Sequence, residues 1–113
     1  MHYYTIVVTK EFPTDEVLGA VLAPWAQIGD GYYQRPSSGQ VKFDYWRRAC
    51  PSESRSNIDP ATVTIPYALV IDGTWHEPAS GWKPDGSEWE RKLKEAVAGV
   101  PYEHWLSIVD CHC

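Results

Sequence analysis

Residues 67–77 read Tyr67-Ala68-Leu69-Val70-Ile71-Asp72-Gly73-Thr74-Trp75-His76-Glu77 and carry the clearest structural signal in the chain. Asp72 and Gly73 separate two runs that are rich in β-branched and aromatic residues. Both residues tolerate the positive φ angles of a two-residue hairpin turn. The sequence therefore predicts a β-hairpin whose second strand, residues 74–77, includes His76 and Glu77.

Other segments have the alternating polarity of strands, in which successive side chains point to opposite faces. These are residues 2–10, 41–48, 62–71 and 105–113. In the last of them, alternation places Ile108, Asp110 and His112 on one face and sends Val109, Cys111 and Cys113 to the other. The segment from Cys50 to Asp59 is rich in serine, which predicts a surface loop.

Two segments have the pattern of helices. Thr14 is placed to cap a first helix, and Pro24 predicts its end near residue 23. The pattern Ser87-x-x-Glu90 is a capping box that predicts the start of a second helix, which should end at Gly99.

The order strand, helix, strand, strand, helix, strand is that of a ferredoxin-like split βαβ sandwich. We therefore expect an α+β protein with an antiparallel sheet and both helices on one face. Residues 74–77 would add an extra hairpin strand, either at the sheet edge or in place of another strand. The 113 residues suffice for a single domain, 1–113.

Composition limits the function. A net charge of −5 argues against nucleic acid as a partner, because binding to phosphates requires a surplus of Lys and Arg. Apolar runs are too short to span a membrane, and the segment 2–8 does not have the pattern of a signal peptide. Three cysteines without a framework spacing predict reduced thiols, with Cys111 and Cys113 unpaired with Cys50. We expect a soluble protein in the cytoplasm.

The most plausible metal ligands lie near the carboxyl end and in the hairpin. Asp110 and His112 share a strand face, and His76 would complete a mixed carboxylate and imidazole site for zinc or another divalent metal, provided that the two strands are neighbours. The alternative is that Asp110 and His112 pair with each other or with the backbone. The Cys-His-Cys spacing at 111–113 matches no common zinc finger.

The six tryptophans exceed what one small core needs, and aromatic residues are enriched at protein interfaces. Trp25 and Trp89 lie on the apolar stripes of the two helices and are expected in the core. The predicted binding residues are Tyr32, Tyr33, Trp46, Trp75 and Trp82. In one alternative, Tyr32 and Tyr33 fold back onto the core. In another, a platform for stacking on single-stranded nucleic acid or a nucleotide is formed by Trp46, Trp75, Trp82 and Tyr32 with Arg47 and Arg48.

Several motifs occur together in the second half of the chain: Pro66-Tyr67-Ala68-Leu69-Val70, Asp72-Gly73-x-Trp75-His76-Glu77, Gly81-Trp82, Trp89 and Val109-Asp110-Cys111-His112. This combination resembles a group of uncharacterised small proteins encoded by tailed bacteriophages, chiefly those of actinobacterial hosts. Phe43-Asp44-Tyr45-Trp46 is a weaker match. The resemblance implies an accessory phage protein made in the cytoplasm of the infected host cell, and it implies no catalytic residues.

Two functions remain open at this point. The first is a non-enzymatic protein that binds and modulates a host protein, in host takeover or counter-defence. The second is a small metal-dependent or nucleotide-handling enzyme that uses His76, Glu77, Asp110 and His112. Surplus tryptophan and acidic charge favour the first.

Overall fold

The computed structural model describes residues 1–28, 36–79 and 87–113, which form two helices and six strands. The helices are α1 (Asp15–Leu22) and α2 (Ser87–Ala98). The strands are β1 (His2–Thr9), β2 (Tyr45–Arg48), β3 (Glu53–Ser54), β4 (Ala68–Ile71), β5 (Thr74–His76) and β6 (Trp105–His112). Neither helix in these ranges is long and apolar enough to cross a membrane.

All six strands belong to one mixed sheet, in the order β2-β6-β1-β4-β5, and β3 pairs with β6 beside β2. The predicted α+β class is therefore confirmed. The predicted antiparallel sheet is wrong, because β1 and β4 pair in parallel. The strand after α1, β2, lies beyond β6 at the far edge, so that β4 takes the place beside β1. The ferredoxin-like order is accordingly not confirmed.

The two helices pack on opposite faces of this sheet. The cluster that includes α1 consists of Val7, Leu18, Leu22, Trp25, Phe43, Val70, Val109 and Cys111. The cluster that includes α2 consists of Ile6, Leu69, Trp89, Leu93, Val97, Val100 and Leu106. Ile6 and Val7 are adjacent in β1 and therefore point to opposite faces. The expectation that both helices cover one face is wrong, and we call the two faces the α1 face and the α2 face.

The predicted hairpin is confirmed. Asp72 has a φ of 52° and Gly73 a φ of 72°, as a two-residue turn of the primed type requires. Leu69 pairs with His76 and Ile71 with Thr74. The hairpin extends the edge of the sheet, and its second strand has three residues.

The helices begin and end where the sequence predicts. The Thr14 hydroxyl accepts a hydrogen bond from the Val17 amide at 3.2 Å, which caps α1. After Leu22 the chain continues as a 3₁₀ turn, Ala23–Trp25, because Pro24 has no amide hydrogen for the helix ladder. The last turn of α2 is followed by Gly99, whose amide donates to Glu95.

The segment from Cys50 to Asp59 is more than the predicted surface loop. Arg55 in this segment is only 5% exposed. Its guanidinium donates to the carbonyls of Val97 at 2.7 Å, Ile58 at 3.0 Å and Ala98 at 3.4 Å. Carbonyls at the end of a helix lack helical partners and carry partial negative charge. Arg55 therefore attaches this segment to the end of α2.

The predicted strand at 41–48 is regular only from Tyr45 onward. The chain bends at Asp44, whose carboxylate accepts a hydrogen bond from the Tyr45 amide at 2.9 Å. Because of this bend, Phe43 and Trp46 both lie on the α1 face, while Tyr45 lies on the other face. Strict alternation over the predicted strand 41–48 places Phe43 and Tyr45 together on the inward face and Trp46 on the outward face, and this prediction is wrong.

Candidate functional site

Six side chains lie together at one end of the α2 face, on three neighbouring strands. Backbone pairing sets them in two rows: Tyr45 opposite His112 and His112 opposite His2, then Arg47 opposite Asp110 and Asp110 opposite Tyr4. Tyr4 is 54% and Tyr45 49% exposed, so the described residues leave this end uncovered. We call it the open patch, and its members are His2, Tyr4, Tyr45, Arg47, Asp110 and His112.

The first row of the open patch consists of three rings in contact, those of Tyr45, His112 and His2. The Tyr45 ring lies parallel to the His112 ring, with centroids 4.7 Å apart and planes at 11°. The His2 ring meets His112 edge-on, with centroids 4.8 Å apart. Each ring limits the rotamers of its neighbour, so the row is held in place before any ligand binds.

Two carboxylates hold the imidazoles of this row. Asp110 accepts a hydrogen bond from Nδ1 of His2 at 3.1 Å, and Arg47 lies 3.8 Å from its second oxygen. Asp44 accepts from Nδ1 of His112 at 2.7 Å. This hydrogen bond from His112 is the largest cause that lowers the pKa of Asp44, which therefore stays ionised at neutral pH.

The arrangement allows three kinds of chemistry. An imidazole oriented by a carboxylate can accept or transfer a proton through its other nitrogen. The same free nitrogen can bind a metal ion. The exposed tyrosine rings and Arg47 can pack against a partner.

The structure does not bring the three predicted metal ligands together. Asp110, His112 and His76 share the α2 face, as alternation predicts. However, β1 and β4 lie between β6 and β5, so that His76 is about 14 Å from β6 across the sheet at the usual strand spacing. His76 is also level with Ile108 and not with Asp110 or His112. No group of three or more His, Cys, Asp or Glu residues in the described ranges is placed to hold an ion.

Nor do Asp110 and His112 pair with each other. Each forms its hydrogen bond to a side chain from another part of the chain, Asp110 to His2 and His112 to Asp44.

His76 and Glu77 lie instead beside an open cleft of about 920 Å³ at the β5 edge. Glu77 accepts hydrogen bonds from Lys42 at 2.5 Å, Trp75 at 3.1 Å and Tyr67 at 3.2 Å. Partial burial alone raises the pKa of Glu77, but the bonds from these three donors and the charge of Lys42 outweigh it and lower the pKa. Glu77 is thus an ion-paired carboxylate that joins three segments, and it is a poor general base.

The predicted binding aromatics have different positions from those expected. Trp46 and Trp75 are both half-buried and pack against the cluster on the α1 face. Tyr32, Tyr33 and Trp82 lie outside the described residues. The prediction that Trp25 and Trp89 belong to the core is confirmed, since they are 6% and 7% exposed.

The three cysteines are free thiols, and Cys50 and Cys113 are exposed. Cys111 is buried under α1, and its sulfur lies 3.6 Å from the hydroxyl of Thr5. Burial raises the pKa of the Cys111 thiol to about 11. A nucleophilic cysteine requires the opposite shift, so Cys111 is a core residue.

Four residues of the site were not predicted from the sequence: His2, Tyr4, Asp44 and Tyr45. Alternation does place His2 and Tyr4 on one face of β1. Their proximity to Tyr45 and Asp110 depends on which strands pair and in what register, and this is not a local property of the sequence. Asp44 is a second local signal, since Asp often accepts a hydrogen bond from a nearby backbone amide and so favours a bend.

Comparison of this chain with models of protein families, with curated proteins and with solved structures finds no match. The function is therefore inferred from the site itself.

Proposed function

We propose that this protein is a non-enzymatic binding protein that modulates a protein of the host cell, as an accessory protein of a tailed bacteriophage in the infected cytoplasm. The open patch is the observation that supports the proposal. It presents Tyr4 on β1 and both Tyr45 and Arg47 on β2, on either side of Asp110 and His112 of β6. Tyrosine and arginine are among the residues that contribute most to binding at protein interfaces.

The rigidity of the patch also favours binding. Tyr45 stacks on His112, which is in turn held by Asp44. Side chains that are already ordered lose less entropy when a partner binds. The aromatic surface of the patch is therefore available at a low entropic cost.

The charges in and beside the patch favour a protein over a nucleic acid. Tyr45 and His112 could stack on bases, but Asp44 and Asp110 place two carboxylates beside these rings. Carboxylates repel backbone phosphates, and the net charge of −5 does so as well.

The enzyme alternative has less support. Its four residues are divided between two places, with Asp110 and His112 in the open patch and His76 and Glu77 at the β5 edge. Glu77 is also occupied by three hydrogen-bond donors. No common substrate position is within reach of all four.

Capture from a lysate of an actinobacterial host tests the proposal. Three immobilised chains are compared: the wild type, the double variant Tyr4→Ala/Tyr45→Ala, and Tyr102→Ala. Tyr102 is 69% exposed and lies in the turn before β6, outside the patch, so it is a matched control. We expect a host protein that the wild type and Tyr102→Ala retain and the double variant does not.

The retained protein is then purified and its affinity for the three chains is measured. Loss of two tyrosines at an interface should weaken the Kd at least tenfold, which is about 1.4 kcal/mol. Equal affinity for all three chains would place the interface elsewhere. If a host protein is retained only through nuclease-sensitive material, the partner is a nucleic acid and the proposal is wrong.

A further inference from the structure

His2 and His112 are directly opposite each other on β1 and β6. Beside them, Met1 and Cys113 exchange both backbone hydrogen bonds, each at 2.9 Å. In an antiparallel ladder such a pair alternates with a pair that has no hydrogen bonds between its residues and whose side chains approach more closely. His2 and His112 form that closer pair, which accounts for the 4.8 Å between their ring centroids.

The hydrogen bonds of both rings define which nitrogen is free. Nδ1 of His2 faces Asp110, and Nδ1 of His112 faces Asp44. An ionised carboxylate can only accept hydrogen bonds, so each Nδ1 carries the hydrogen. In a neutral imidazole the lone pair is then on Nε2. Both rings are accessible, with His2 48% and His112 30% exposed.

We propose that His2 and His112 form a two-histidine site for a divalent transition-metal ion such as Zn²⁺, which binds through the two Nε2 atoms. Zinc to imidazole bonds of about 2.0–2.1 Å at a tetrahedral angle place two ring centroids roughly 5 Å apart, and the observed separation is 4.8 Å. In many metal sites a carboxylate accepts a hydrogen bond from the second nitrogen of each metal-binding histidine and so orients the ring. Asp110 and Asp44 take this position beside His2 and His112.

The protein supplies two ligands at this site, because no third His, Cys, Asp or Glu in the described residues joins them. Water completes the coordination. Structural zinc sites have four protein ligands and bind far more tightly. The site is therefore a weaker, open one, and it does not depend on the proposed function of the patch.

Zn²⁺ titration followed by calorimetry tests the site on a chain without a histidine tag. Cys50→Ser and Cys113→Ser are introduced first, because both thiols are exposed and would bind the ion themselves. We expect one Zn²⁺ per chain. His2→Gln and His112→Gln should each weaken binding at least tenfold, and Asp44→Asn about tenfold, as for other outer-shell carboxylates.

His76→Gln and His104→Gln are the matched controls and should leave the affinity unchanged, since neither residue is in the open patch. A second measurement needs no substitution in the site: the ¹⁵N resonances of His2 and His112 Nε2 should shift on addition of Zn²⁺, while those of His76 and His104 should not. The proposal is overturned if Zn²⁺ does not bind saturably, if the resonances of His76 or His104 shift instead, or if His2→Gln binds as tightly as the parent.

Discussion

Both faces of the sheet carry aromatic residues, and the two sets differ in what they contact. On the α1 face, Trp25 and Trp75 are 5.4 Å apart and pack with Phe43. On the α2 face, Tyr4 and Tyr45 are half exposed. The comparison shows that a surplus of tryptophan in a short sequence need not mark an interface, because the fold packs Trp25, Trp46, Trp75 and Trp89 against its two cores. On the open patch, the exposed aromatic residues are the tyrosines Tyr4 and Tyr45.

Trp25→Ala should have the largest effect, since it removes a buried ring from the α1 face. We expect the free energy of unfolding to fall by about 3–5 kcal/mol, as for other large-to-small core substitutions. Urea unfolding followed by circular dichroism measures it. If Trp25→Ala and Tyr45→Ala lower the free energy of unfolding by the same amount, the two faces do not differ in packing as described.

Arg55→Met tests the covered part of the α2 face. The substitution keeps the apolar stem but removes the donors to Val97, Ile58 and Ala98. Hydrogen bonds from charged groups are strong, so we expect a loss of about 2–3 kcal/mol by the same unfolding experiment. Arg91→Met is the control, because Arg91 forms an exposed pair with Glu95 on α2. Its cost should be below about 0.5 kcal/mol, and equal costs for the two variants would contradict the role of Arg55.

Glu77→Gln tests the polar border of the α1 face, where Lys42, Tyr67 and Trp75 converge on one carboxylate. We expect a loss of about 1 kcal/mol at pH 7, since the network is partly exposed and screened. Because the pKa of Glu77 is lowered in the folded state, its contribution is present above the ordinary pKa of 4.5 and is lost as the pH falls through the folded-state value.

The pH dependence gives this prediction a specific signature. The difference in unfolding free energy between wild type and Glu77→Gln should shrink as the pH falls below the ordinary pKa of 4.5. Glu95→Gln on the outer face of α2 serves as the control. A difference that persists unchanged at pH 3 would show that the charge of Glu77 does not stabilise the fold.

Tyr45→Ala should have the smallest effect on stability. Its ring is exposed on the open patch, so we expect the unfolding free energy to change by about 0.5 kcal/mol or less. The thermal midpoint of Tyr45→Ala should stay close to that of the wild type. If Tyr45→Ala lowers the free energy of unfolding as much as Trp25→Ala does, Tyr45 is a structural residue. The open patch would then not differ in packing from the α1 face.

Local patterns in the sequence were sufficient to predict the hairpin turn, the cap of α1 and the two faces of β6. The Asp72-Gly73 turn, the Thr14 cap and the alternation that separates Cys111 from His112 each depend on a few neighbouring residues. Tertiary contacts override none of them. The two faces of β6 are therefore predicted correctly by alternation alone.

The rest depends on pairing between distant segments. Asp110 was expected beside His76, but the order of strands places it beside His2 and Arg47. Trp46 was expected outside because strict alternation was assumed, and the bend at Asp44 shifts the register by one residue. A shift of one residue moves a side chain to the other face. The bend at Asp44 alone therefore reversed the predicted faces of Trp46 and Tyr45.

The short strands at both borders of the sheet affect how the protein behaves in a crowded cell. On one side, β5 offers three residues, and on the other side the border is divided between β2 and β3. Long and regular strand edges recruit other chains and lead to aggregation. Among the described residues, neither border offers more than four consecutive strand residues to an incoming chain. The exposed sheet face of the open patch is thus bordered by edges that are too short to favour growth of the sheet into a fibre.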